Sequence, residues 1–146
     1  MSGLPRIAIL DALDDGAPLS IPSGEVDVVH SGNLDDDSLG RLRPLAVDVI
    51  VLDLRGYQAK PAADAIARVR GFSSARIVVA GDAGNQAMAE AAFAAGTSGY
   101  VSRDSSPDAL LKSVVGAVRG RVSLGKTATL AILNLTGAPG KSKAKT

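Results

Sequence analysis

Cysteine is absent from the 146 residues, and histidine occurs once, as His30. Together these absences remove thiolate nucleophiles, disulfides and the usual zinc ligand sets. His30 has no partner at metal-binding spacing and reads as an ordinary strand-end residue. Aromatics are almost as scarce, with no Trp, two Tyr and two Phe. A surface that stacks bases is therefore not expected, nor is direct nucleic-acid contact by this chain. There is also neither a signal peptide nor an apolar run of transmembrane length, so the sequence predicts a cytoplasmic chain without a membrane partner.

The apolar share is nonetheless 46%, so the core must be built from Ala, Val, Leu and Ile. Such residues suit helices packed on a parallel sheet, and the length is that of one domain. The net charge is +1, but Lys141, Lys143 and Lys145 contribute three positive charges near the end, which leaves −2 on the rest. Basic character belongs to the tail rather than to the domain.

Short β-branched runs at 6–10, 25–30, 49–53, 76–80 and 99–102 read as strands, separated by helical patterns at 34–45, 62–70, 85–95 and from Ser105 through Val118. The segment 12–24 holds Gly16, Pro18, Pro22 and Gly24, so the first helix is expected to be short or absent. This alternation predicts a three-layer α/β/α sandwich around a five-stranded parallel sheet with right-handed crossovers. The domain is expected over 1–122, followed by an extension helix over 123–135 and a disordered linker or tail over 136–146.

Four strand ends carry charge or punctuation that matters. Asp11 closes the first strand, Asp53 the third, Gly81-Asp82 the fourth and Arg103 the fifth. In a doubly wound sheet of flavodoxin-like order 2-1-3-4-5 these ends share one crevice. Clustered acids repel unless a cation or a basic side chain compensates them, and either a divalent ion or Arg103 can do so. The acidic stretch 11–15 repels phosphate, which argues against a flavodoxin-type nucleotide site. With no Cys and one isolated His, a hydrolase has only carboxylates to work with, and no enzyme is expected.

The run Phe93-Ala94-Ala95-Gly96-Thr97-Ser98-Gly99-Tyr100-Val101-Ser102-Arg103-Asp104-Ser105-Ser106-Pro107-Asp108-Ala109-Leu110 resembles the fourth helix, fifth strand and fifth helix of bacterial response-regulator receiver domains. It is most similar to receivers of regulators with a LuxR-type helix-turn-helix, and 49–53 resembles their third strand. The resemblance implies that Asp53 holds the phosphoacceptor position, that Asp11 and Asp82 form an acidic pocket, and that Arg103 and Tyr100 are its cation and its switch.

Against that pattern the site is eroded. Ala12 replaces the second acid after the first strand, Gly81 replaces the hydroxyl residue after the fourth, and Arg103 replaces a lysine. Magnesium, if bound at all, is expected to be weak and to involve Asp11, Asp53 and Arg55. The favoured expectation is a bidentate salt bridge from Arg103 to Asp53, Asp82 or both, fixing the crevice without metal. The resulting function is an atypical receiver acting by homodimerisation or partner docking, through 85–95, 99–102 and the helix after Ser105, independently of phosphorylation. A DNA-binding output domain beyond the chain end is the implied partner. A working Asp53 phosphoacceptor with magnesium, or a domain that binds a small anionic effector near Gly81, are the alternatives.

Overall fold

A computed structural model describes residues 4–12, 19, 21, 22, 24–103 and 105–120. Its elements are β1 (Arg6–Asp11), β2 (Asp27–Asn33), α1 (Asp36–Leu42) with a 3-10 turn at Arg43–Leu45, β3 (Val49–Asp53), α2 (Ala59–Arg70), β4 (Arg76–Gly81), α3 (Gln86–Ala94), β5 (Gly99–Ser102) and α4 (Pro107–Val118). All strand pairings are parallel and the sheet order is β2-β1-β3-β4-β5. The expected flavodoxin-like order and sandwich are therefore present.

Alternation along each strand divides the core in two. Ala8, Leu10, Ile50, Leu52, Ile77, Val79 and Tyr100 face α1, α2 and α3, while Ile7, Ile9, Val49, Val51, Val78 and Val101 face α4. A period of two in a sheet covered on both sides requires apolar residues at every position, which is why β3 is buried throughout. Helix starts follow their caps. Asp35 accepts from the Ser38 amide at 2.8 Å, Asn85 from Met88 at 3.1 Å and Ser106 from Ala109 at 3.2 Å.

Three boundaries differ from the sequence reading. β2 runs on through Ser31-Gly32-Asn33, because β1 continues to Asp11 and offers Leu10 and Asp11 as partners for Gly32 and Asn33. His30 is thus inside a strand rather than at its end. The first helix of the described chain stops at Leu42, with Pro44 in the following 3-10 turn. α2 begins at Ala59, earlier than expected, since Pro61 falls within its first turn, where a missing N–H costs nothing. The expectations for most of 12–24, for the extension helix 123–135 and for the tail 136–146 lie outside the described residues.

Candidate functional site

Register brings the two acids together. β1 and β3 pair in parallel with Asp11 opposite Asp53, so adjacent strand ends present adjacent carboxylates. On the other side Asp53 pairs with Ala80, and Gly81 with Ser102, which places the β4 and β5 ends alongside. Backbone bonds hold the rim: the Ala12 amide donates to the Asp53 carbonyl at 3.1 Å, and the Arg103 amide to the Gly81 carbonyl at 2.7 Å.

Asp53 is wholly buried. Its Oδ2 accepts from Arg103 Nε at 2.8 Å and also from Arg55 Nη1. Its Oδ1 accepts from the Arg55 amide at 3.2 Å. The second guanidinium nitrogen of Arg55, Nη2, reaches Asp11 Oδ2 at 3.2 Å. One arginine therefore bridges two carboxylates while another holds the deeper of them. Burial pushes the Asp53 carboxyl above the ordinary carboxylate range; the Arg55 amide and the two guanidinium groups pull it down, and Asp11 adds to the upward push.

The structure brings Asp11, Asp53, Arg55 and Arg103 into one network. Asp82, expected to share Arg103, lies exposed and does other work. Its Oδ2 accepts from the Gly56 amide at 2.7 Å, tying the loop after β3 to the loop after β4, and its carbonyl accepts from Tyr100 Oη at 2.8 Å. Gly56 can take that place because its φ of 77° is in the left-handed region. Ala12 supplies only backbone. The second cation on Asp53 is what sequence reasoning missed, having given Arg55 only a place beside a metal. An uncompensated pair of acids with an arginine two residues past one of them is the signal that pointed to it.

Tyr100 is buried to 2% exposure, beside Gly81. A Cβ on Gly81 would meet Tyr100 Oη, and would lie 2.9 Å from both Met88 Sδ and Tyr100 Cε2. The missing side chain is thus the space that the tyrosine ring occupies. Burial pushes the phenol from 10.0 up to about 12, with the Asp82 carboxylate adding to the effect. Ionisation is therefore harder in the fold than in the unfolded chain. Stability contributed by the neutral phenol is intact below about pH 10 and is lost as pH rises toward about 12, by about 3 kcal/mol in all. Urea denaturation across that alkaline range, compared with Tyr100→Phe, checks this: the wild type loses the increment and the variant does not.

The five-stranded parallel sheet has the flavodoxin-like order, with charged residues gathered at the carboxyl ends of β1, β3, β4 and β5. Solved structures similar to it in fold include response regulators and their receiver domains. One is a LuxR-family two-component response regulator from Aurantimonas sp. SI85-9A1, with 23% identity, 91% of this chain and 98% of that one covered, and a TM-score of 0.66. The isolated receiver domain of RcsB from Salmonella enterica serovar Typhimurium, determined with the phosphomimetic BeF3−, has 19% identity, 88% and 98% coverage and a TM-score of 0.64. The signal receiver domain of the putative response regulator NarL from Mycobacterium tuberculosis has 23% identity, 81% and 98% coverage and a TM-score of 0.61. No protein-family model and no curated protein matches the sequence. At these identities the likeness is one of fold. Among the described residues no helix is long and apolar enough to cross a membrane.

Proposed function

We propose that this chain is a receiver-fold signalling module that acts by pairing or docking, with Asp53 held in permanent ion pairs rather than phosphorylated. The observation that carries the reading is the state of Asp53: fully buried, with both carboxylate oxygens engaged by donors of Arg55 and Arg103. An acceptor carboxylate needs an exposed, free oxygen, and catalysis of phosphoryl transfer needs cationic help aimed at the incoming group. Here both guanidinium groups donate to the carboxylate itself.

The surface assigned to pairing is the β5 edge with α3 and α4. Among the described residues β5 is the edge strand beside β4, and α3 and α4 flank it from opposite faces of the sheet. The solved relatives of this fold include RcsB dimers bound to two parallel DNAs. By analogy, the output of this module is a DNA-binding unit reached through that surface.

The test has two arms. Incubation with acetyl phosphate and magnesium is expected to leave the intact mass and the Asp53 amide signal unchanged; accumulation of a phosphoryl adduct at Asp53 would restore the conventional phosphoacceptor. Sedimentation over a wide concentration range is expected to show self-association that Ala94→Arg, on the exposed face of α3, weakens. A wild type that stays monomeric at high concentration removes pairing between copies.

A further inference from the structure

We propose that Arg55 is the resident cation of this site: its guanidinium occupies the place where a receiver fold holds a divalent metal, so the chain takes no magnesium there. This deepens the reading of Asp53 as an ion-paired residue and rests on it. The donor set suits the metal poorly while Arg55 is in place, and would leave most of its ligands to water without it. Magnesium demands about six oxygen ligands at about 2.0–2.1 Å in octahedral array. Among the described residues Asp11 and Asp53 are the acids that Arg55 joins, Ala12 adds none, and no group of three or more His, Asp or Glu is placed to hold an ion.

The oxygens a metal would use are already taken. Arg55 Nη1 and Arg103 Nε both donate to Asp53 Oδ2, and Arg55 Nη2 donates to Asp11 Oδ2. The planar fork of a guanidinium spans two carboxylates as a metal ion would, and it stays protonated at any ordinary pH. Its placement is fixed from within the same residue, since the Arg55 amide bonds Asp53 Oδ1. Arg55 is only 14% exposed, so it is packed into the crevice rather than laid across its mouth.

Charge completes the argument. Among the described residues the ion pairs of the crevice set two guanidinium groups, Arg55 and Arg103, against two carboxylates, Asp11 and Asp53. A divalent ion added beside Arg55 and Arg103 would face two guanidinium groups in a poorly solvated site, where like charges repel far more strongly than in water. Exchange of Arg55 for a metal would in turn force a long side chain out into solvent and open the β3–α2 loop.

Manganese serves as the probe, because its paramagnetism broadens nearby signals. In NMR titrations of the full chain, the wild type is expected to show no saturable broadening at the Asp11 and Asp53 amides. Arg55→Ala is expected to acquire it, with apparent affinity raised about tenfold or more. Saturable binding by the wild type at those residues, as tight as in the variant, overturns the proposal; so does a folded Arg55→Ala that gains nothing. Should Arg55→Ala lose its fold by circular dichroism, Arg55→Met keeps the aliphatic stem and is read in the same way, and the wild-type titration decides by itself if both unfold. Wild-type manganese binding without a phosphoryl adduct defeats this inference alone, whereas an adduct at Asp53 defeats the reading beneath it.

Discussion

Gly81→Ala will destabilise the domain, and Gly81→Thr will do so further, by roughly 2–4 kcal/mol, as Tyr100 is driven from the core. The φ of Gly81 is not in the left-handed region, so the backbone itself tolerates a side chain. Space does not: the added Cβ falls 2.9 Å from Met88 Sδ and from the Tyr100 ring, in a region that is wholly buried. Of the two neighbours, Tyr100 has the easier way out, because it sits on the edge strand β5. Leaving costs the burial of an aromatic ring and the bond from Oη to the Asp82 carbonyl. Chemical denaturation gives the size of the loss, and alkaline difference spectroscopy gives its cause. The phenol that titrates at about 12 in the wild type will move back toward the ordinary value near 10 once the ring is outside. A double-mutant cycle with Tyr100→Ala isolates the effect: without the ring, Gly81→Ala costs little. Unchanged stability with the phenol still at about 12 would show that the ring has room to spare.

That packing also shows what a sequence can carry. As a string of residues, Gly81 is a deletion, a hydroxyl lost from a familiar place. In the fold it is a provision, the room that lets Tyr100 lie inward with its hydroxyl on Asp82. The strands β1, β3, β4 and β5 and the helix starts were legible because each rests on a local signal: a β-branched run that stops at a polar residue, or a cap such as Asn85 or Ser106. β2 was legible only to His30, since Ser31-Gly32-Asn33 has no strand preference of its own and is recruited by the neighbouring β1. Asp82 and Arg55 depended on something longer in range. Asp82 is committed by the amide of Gly56, 26 positions away in the chain, and Arg55 by Asp11, 44 positions away. Charge type was readable at those positions, but partner choice was not, because two arginines, one after β3 and one after β5, competed for the same acids.

Asp53→Ala will cost about 3 kcal/mol, and Asp53→Asn much less, because the two substitutions separate the carboxylate's bonds from its charge. Alanine withdraws the acceptor for the Arg55 amide, Arg55 Nη1 and Arg103 Nε at once. The cost stays at the low end for a broken buried pair, since Arg55 and Arg103 are 14% and 23% exposed and can turn part-way to water. Asparagine retains an acceptor oxygen and removes a charge that the fold holds at a disadvantage. Desolvation outweighs the attraction of the arginines, so the folded carboxyl titrates above its ordinary 3.8. The sign follows from that direction. A carboxyl with a raised folded value binds its proton more readily folded than unfolded, so its contribution is most favourable below the unfolded value and is lost as pH rises through the folded one. At neutral pH the charge of Asp53 is thus a net expense that Asn avoids, and as pH falls the wild type will gain on Asp53→Asn. Urea denaturation of the three proteins from neutral pH down toward 4 measures both effects. An Asn variant as unstable as the Ala variant, or a gap that widens against the wild type on acidification, would mean that attraction outweighs burial. On the reading favoured here the ion pairs do not chiefly hold the domain together. They fix which way Arg55 and Arg103 point, and through them the arrangement of the crevice.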